Sequence, residues 1–354
     1  MLKFIKERIH EYDTNYFINE FFLASKNFGI LESKITNYKF SEILIPLLHK
    51  QEAQSSMYIE GTQTTISDII ESELSPKSNN KPLIEAKNYT NALIYGIDYL
   101  RYNDFSHTLI QKLHEIMLKD IIPPKKESTL GKYKEKNNFI VNSSKKIIFN
   151  PPDYTETKKY MDELIDFINK KDEIPSLIKS ALLHSQFESI HPFEDGNGRV
   201  GRILIGLYLF KSKVLNYPFF YISEAISQDK LVYYNKLTSS RTGDFNEWIK
   251  FFLNKCIVQT QKHIKYIDSI NNLYLKTEKT LQDLVITTKY NKILDVLFSQ
   301  PILNSKYLTE KLDISKWQAK KYLDKLEEAG ILFGTDKKRN KFYFFIELLE
   351  ILRG

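Results

Sequence analysis

The chain has 354 residues, 42% hydrophobic and 27% charged, with a formal net charge of +7. That is ample material for a sizeable core, and ~150 residues per domain predicts two or three domains. A lone cysteine, Cys256, excludes an intrachain disulfide and argues against a thiolate metal site, while the mildly basic balance suits an acidic partner, nucleotide or nucleic acid, without requiring one.

No apolar run approaches the ~18 residues of a membrane span, and the start, MLKFIKERIHEYD, mixes both charge signs with no apolar signal region. The expectation is a soluble, cytoplasmic protein with no membrane partner. Only 12 Gly and 11 Pro interrupt long stretches of helical period, which predicts a mostly α fold. The loop-like stretch 71–82 (ESELSPKSNNKP) closes an N-terminal helical region, residues 1–80. Asn138 to Phe149 departs from helix: two short apolar runs flank a polar turn and lead into Pro151-Pro152, the pattern of a small β-hairpin. Ser176 to Ser189 reads as a buried helix. Pro192 disfavours helical geometry at His191, so the chain should turn there. Helix resumes near Asn197, with Val200, Ile203, Leu204, Leu207 and Phe210 on one face. After the long helical stretch 246–285, a break near Thr287-Thr288 ends a central region, 81–286, and leaves a C-terminal unit, 287–354.

The turn between those two central helices carries the chemistry. It reads HPFEDGNGRVGR, His191 to Arg202. Unpaired N–H groups and the positive end of the helix dipole point into such a turn, and glycines let phosphate oxygens come close. Arg199 and Arg202 lie three apart, on one side of the first turns, and their planar forks suit two successive phosphates. Asp195 is an oxygen ligand beside those phosphates, in keeping with Mg²⁺, which takes one or two carboxylates plus phosphate oxygens. His191, with an ordinary pKa of ~6.5, suits a general base. Taken singly, each residue is an ordinary turn, cap or helix side chain; together they point to a nucleoside triphosphate.

The same twelve residues match, at every fixed position, the signature HxFx(D/E)GNGRxxR of the Fic-domain proteins, and the chain resembles that family. The resemblance implies a Fic-type helical bundle with a β-hairpin flap, and transfer of AMP from ATP to a hydroxyl side chain (Thr, Tyr or Ser) of a target protein. His191 would deprotonate the hydroxyl and Asp195 would hold Mg²⁺. Gly196, Asn197, Gly198, Arg199, Gly201 and Arg202 would bind ATP, and Phe193 would anchor the loop. The hairpin is similar to the family's flap, which aligns an extended target segment by strand addition. Tyr233-Tyr234 and the run 248–253 also look like family positions, with Tyr234 lining the nucleotide pocket, whereas His184 reads as a core histidine.

Upstream, residues 55–65 read SSMYIEGTQTT and resemble the family's inhibitory motif (S/T)xxxE(G/N), with Ser56, Glu60 and Gly61 in its fixed positions. Ser56 and Glu60 share a helix face, and Gly61 suits a helix end. The resemblance implies that Glu60 pairs with Arg202 and obstructs the γ-phosphate. Many relatives read SSxIEG; this chain has one residue more. The same glutamate could position a water that removes AMP, so an enzyme running both ways stays an alternative.

Residues 291–345 have the layout of a winged helix-turn-helix. A helix is followed by a capped segment 305–312, a second capped helix 315–329 broken by Gly330, and two strand-like runs around the turn 336–341. Lys316, Lys320, Lys321 and the wing residues Lys337, Lys338 and Arg339 give it a basic side that suits phosphate contacts, although many such units bind protein. DNA contact, self-modification and a homodimer stay open at this level. So do a nucleotide-sensing DNA-binding regulator, which would have no use for His191, and transfer of another phosphate-containing group.

Overall fold

The computed structural model describes residues 2–38, 41–74, 80–141, 144, 146–243, 245–284, 290–336 and 341–353. In chain order the elements are α1 (Ile5–Arg8), α2 (Ile18–Asn37), α3 (Ser41–Ile59), α4 (Ile66–Ser72), α5 (Lys81–Leu100) and α6 (His107–Leu118). A two-stranded hairpin follows, β1 (Ile140–Val141) and β2 (Ile147–Phe149), then α7 (Thr157–Asn169), α8 (Ser176–Ile190) and α9 (Asn197–Lys211). Next come α10 (Ser223–Gln228), α11 (Lys230–Arg241) and the long α12 (Phe245–Asp283). The C-terminal unit contains α13 (Tyr290–Ser299), β3 (Ile302–Asn304), α14 (Ser305–Leu312), α15 (Lys316–Glu328), β4 (Phe333–Gly334), β5 (Phe342–Phe344) and α16 (Ile346–Arg353). Among the described residues no helix is long and apolar enough to cross a membrane.

The centre of the fold is the antiparallel pair α8–α9. Every residue of α8 from Leu177 to Ile190 is buried, and so is every residue of α9 from Val200 to Phe210. A helix enclosed on all sides has no single apolar stripe, so the one-sided pattern read for α9 understates its burial. Helices α3 and α5 pack on α9, while α7, α11 and α12 pack on α8. The indole of Trp248 on α12 donates to the Ala181 carbonyl at 2.8 Å, which fixes α12 across α8.

The N-terminal helices are built into this same core. Helix α2 lies along α12, with ion pairs Lys34–Asp268 and Glu20–Lys250 at its two ends. Helix α3 touches α5, α9, α10 and α13, and so stands between the central pair and the C-terminal unit. That unit folds its three strands in the order β3-β5-β4, all antiparallel, with Ile302 and Phe333 both opposite Phe344. Strand β3 has no counterpart in the sequence reading, because three residues after Pro301 are too short to show a period. The break near Thr287-Thr288 and the wing residues Lys337, Lys338 and Arg339 lie outside the described residues, as does part of the loop read at 71–82.

Close approach of α5 to the central pair rests on Gly96. A methyl group there would stand 2.5 Å from Cδ1 of Leu207 and 3.2 Å from Cδ2 of Leu113, both fully buried. Gly96→Ala therefore sets ~1 kcal/mol of improved helix propensity against overpacking of about 1–3 kcal/mol. The expected outcome is a net loss of stability, read as a lower urea midpoint at unchanged slope; a raised midpoint would contradict the packing argument.

Candidate functional site

The site grows out of the turn between α8 and α9. Proline at 192 keeps His191 out of the helical region, and His191 ends α8 in the left-handed conformation (φ 49°, ψ 60°) with its N–H on the Phe187 carbonyl at 3.0 Å. Five residues later Gly196 (φ 77°) caps the start of α9. Between them Phe193 is fully buried and stacks on His114, ring centroids 3.9 Å apart. The Asn197 side chain closes the turn on itself: its oxygen accepts the Phe193 N–H and its amide donates to the Phe193 carbonyl, both at 2.8 Å. His114 accepts from the Gly131 N–H at Nδ1 (3.0 Å), which leaves Nε2 to donate to the Asp195 carbonyl (3.1 Å). Burial lowers its pKa to about 4, so the bridge is made by a neutral ring.

Two residues to which the sequence assigns no role in the turn hold it from the other side. Lys134 gives its N–H to the Pro192 carbonyl (2.8 Å) and its ammonium to the Ile190 carbonyl (3.2 Å) and to Oδ1 of Asn138 (2.9 Å). Asn138 donates to the carbonyls of His191 (3.0 Å) and Phe193 (2.9 Å). Both belong to the segment that runs into β1. Only long-range contact defines their role, and a local pattern carries no trace of it.

The mouth of α9 presents the amides of Asn197, Gly198 and Arg199, since the first intrahelical bond is made by Val200 to the Gly196 carbonyl. A carboxylate stands there. Helix α3 ends in a Schellman turn, with Thr62 N–H on Met57 O (3.0 Å), Gly61 N–H on Tyr58 O (3.1 Å) and Gly61 at φ 93°. This turn sets Glu60 opposite Arg202: Nη2 donates to Glu60 Oε1 at 2.6 Å, while Nε and Nη2 hold the hydroxyl and carbonyl of Ser56 at 2.8 and 3.0 Å. A side-chain carbon on residue 198 would come within 2.6 Å of the same Glu60 oxygen, so glycine there makes the room. Burial alone would raise the Glu60 carboxyl, but the charge and hydrogen bond of Arg202, with Arg199 and Lys230, hold it below the ordinary range. Arg202 is 2% exposed, and Glu60 keeps one face open.

Arg199 reaches back over the loop to Asp195 at 3.5 Å. The Asp195 side chain is 64% exposed and its Oδ1 also accepts the Gly196 N–H at 2.6 Å. Tyr234 stands half-exposed at the rim with Lys230 over its ring; burial, then the charge of Glu60, pushes its hydroxyl up to about 12. Two expected phosphate contacts are placed otherwise. Gly201 faces α8, where a methyl group would meet Glu188 Oε1 at 2.5 Å and the His184 ring at 3.2 Å, so its small size serves helix packing. The Asn197 side chain is engaged with Phe193, which leaves its backbone N–H for an anion. His184 is a core histidine, bonded through Nε2 to the Tyr233 hydroxyl at 2.8 Å.

His191 is half-buried with Nδ1 enclosed. Desolvation first, then the charges of Arg241 and Lys134, push its pKa down to about 4, against the Glu188 carbonyl and the Glu60 charge. The ring is therefore neutral around pH 7 and able to take up a proton. Among the described residues no group of three or more His, Cys, Asp or Glu side chains forms a metal cluster. Asp195 offers one exposed carboxylate beside an anion-binding mouth, a donor set that fits Mg²⁺ held largely by phosphate oxygens.

Residues 104–209 match the family model described as Fic/DOC family, and residues 19–98 match the one described as Fic/DOC family N-terminal. The chain is 25% identical over 269 residues to a probable protein adenylyltransferase of Aquifex aeolicus, covering 70% of this chain and 79% of that one. It is 29% identical over 223 residues to protein adenylyltransferase Fic of Nematostella vectensis, covering 59% of this chain and only 47% of that one. In structure it is similar to a Fic family protein from Desulfovibrio desulfuricans G20, with a TM-score of 0.59 and 18% identity over 94% of this chain and 97% of that one. It is also similar to a Fic domain containing signaling protein from Bacteroides thetaiotaomicron, with a TM-score of 0.54 and 24% identity over 68% of this chain and 97% of that one. At such identities the structural likeness is one of fold.

The electrostatics make a direct prediction for His191. In an NMR titration of histidine-labelled protein its resonance should inflect near 4, well below the ordinary ~6.5. Removing a nearby cation with Arg241→Met relieves repulsion of the imidazolium and should move the inflection upward. An inflection at the ordinary value, unmoved by the substitution, would contradict this.

Proposed function

Because the chain carries a Fic/DOC domain preceded by the N-terminal region of that family, we propose that it is a protein adenylyltransferase held in check by its own Glu60. The observation that carries this reading is the α9 mouth itself: a buried arginine holds a carboxylate there, next to backbone amides with no intrahelical partner and a neutral histidine. A site that accepts a carboxylate in this geometry also suits a phosphate.

On this reading the triphosphate of ATP lies across the mouth, with the α- and β-phosphates on the amides of Asn197 and Gly198 and the outer phosphates on Arg199 and Arg202. Asp195 is placed to hold Mg²⁺, which when bound supplies positive charge against the phosphate oxygens. The target segment adds to the β1–β2 hairpin, where Phe139, Val141 and Ile147 are exposed. Its hydroxyl gives its proton to His191, and since Nδ1 is enclosed the acceptor is Nε2. The hydroxyl oxygen bonds to the α-phosphorus as the bond from that phosphorus to the oxygen leading to the β-phosphorus breaks, and pyrophosphate leaves with the electron pair. Glu60 restrains the reaction by occupying the Arg202 fork. The order helix, strand, two helices and two strands over 290–344 supports the winged-helix reading of the tail, with Lys316, Lys320 and Lys321 exposed on α15; DNA is the partner that face suits.

The test is self-labelling of purified protein with α-labelled ATP and Mg²⁺. Glu60→Gly should raise it at least about tenfold, the ~1.4 kcal/mol or more expected of a charge-assisted hydrogen bond that competes with the substrate. Adding His191→Ala should then remove a factor of about 10²–10⁴. Labelling that is insensitive to His191→Ala would rule out the base; labelling unchanged by Glu60→Gly would rule out the restraint.

A further inference from the structure

We propose that Lys134 and Asn138 are positioning residues for the proposed base, and that they join His191 and the target-binding hairpin into one rigid piece. The inference rests on the adenylyltransferase reading for its activity test, but its geometry stands apart from that reading.

A non-glycine residue in the left-handed region costs roughly 1–2 kcal/mol, and the last carbonyls of a helix lack intrahelical partners. Both burdens fall on the turn at Ile190–Phe193. There, four consecutive carbonyls, those of Ile190, His191, Pro192 and Phe193, are each taken by a donor from Lys134 or Asn138. Lys134 is 4% exposed, and the bonded acceptors of its ammonium are neutral oxygens, the Ile190 carbonyl and Asn138 Oδ1. A buried cation with no bonded carboxylate is expensive. A hydrophobic side chain would fill the space at less cost if filling were the only task. The cation instead lies at the C-terminal end of α8, where the helix dipole favours it.

The same residues set the hairpin. Strand β1 begins at Ile140, two residues after Asn138, so the strand edge and the His191 backbone are separated by a single side-chain amide. A target segment laid on that edge is thereby registered against the imidazole. Misplacement of about 1 Å at a reacting group can cost ~100-fold in rate, which is the size of effect this clamp can control.

The experiment uses the full chain carrying Glu60→Gly and compares Lys134→Met, Lys134→Arg and Asn138→Ala. Lys134→Met keeps the volume and removes the donors. It should lower the maximal self-labelling rate by about 100-fold with KM for ATP changed less than about threefold, since the phosphate contacts are untouched. Lys134→Arg, which keeps a cationic donor, should recover at least a tenth of the parental rate, and Asn138→Ala should lose about tenfold. Amide exchange followed by mass spectrometry gives a readout free of activity: peptides spanning 188–195 should exchange faster in Lys134→Met and Asn138→Ala, and those of the C-terminal unit should not. If the parent transfers no AMP, the adenylyltransferase reading fails while exchange still decides the clamp. The proposal is overturned if the Met and Ala variants keep both rate and exchange, or if the loss lies wholly in KM for ATP. Should Lys134→Met fail to fold, Asn138→Ala and Lys134→Arg decide by the same criteria.

Discussion

The site turns on one buried cation. Arg202 lies in the middle of α9 at 2% exposure, and a guanidinium so enclosed must be matched by an anion and by acceptors for its remaining N–H groups. Ser56 supplies two oxygens from α3, and Glu60 supplies the charge. Removing a partner from a buried pair leaves an uncompensated charge that costs ~3–5 kcal/mol, so departure of Glu60 is favourable only as another anion arrives. The 35% exposure of the Glu60 side chain lowers that figure through solvent screening; on the proposed reading this keeps exchange for a phosphate within reach. The pairing thus links the state of the C-terminal end of α3 to the occupancy of the mouth.

That end of α3 is not held by the central pair alone. Helix α3 also packs on α13, and Gln51, two turns before Glu60, donates to the Leu352 carbonyl of α16 at 2.6 Å. Further bonds run from Gln300 to the Ile70 carbonyl and from Arg353 to Ser67. The C-terminal unit therefore braces the two helices that flank the Schellman turn carrying Glu60. On the autoinhibited reading a rigid α3 makes the carboxylate a fixed competitor, and the bracing adds to the Schellman turn in holding the ion pair.

The turn from His191 to Arg202 was legible because it is local. Pro192 dictates the break, glycines mark the positive-φ cap, and the arginine spacing is a helical one. The Ser56–Glu60–Gly61 pattern stands out in the sequence by its resemblance to the family motif; its i,i+4 spacing and terminal glycine are local too, and the Schellman turn is what the structure adds. The sequence marks 176–189 as a buried helix, but not that its polar residues Ser180, His184, Ser185, Gln186, Glu188 and Ser189 are buried too, because a polar side chain in a core shows as exposed in any hydrophobic pattern. The family resemblance implies a phosphate role for Asn197; the structure engages its side chain with Phe193, which no local pattern shows. Lys134 and Asn138 were invisible, because a lysine bonded to carbonyls more than 50 residues away has no signature near itself in the chain.

Charges near His191, the cations Arg241 and Lys134 and the carboxylate Glu60, make its proton affinity sensitive to what the mouth holds. Burial first, then the charges of Arg241 and Lys134, lower its pKa to about 4, while Glu60 is the nearby carboxylate that acts the other way. A base with so low an affinity is poor at removing a proton from a hydroxyl, which is adequate protection against idle proton transfer in the empty site. On the adenylyltransferase reading a triphosphate brings more negative charge than the single carboxylate it replaces. By Coulomb's law that charge stabilises the imidazolium, so the histidine becomes a stronger base when ATP is in place. Arg241 and the lysine that fixes the turn would then withhold base strength until the substrate supplies the countercharge.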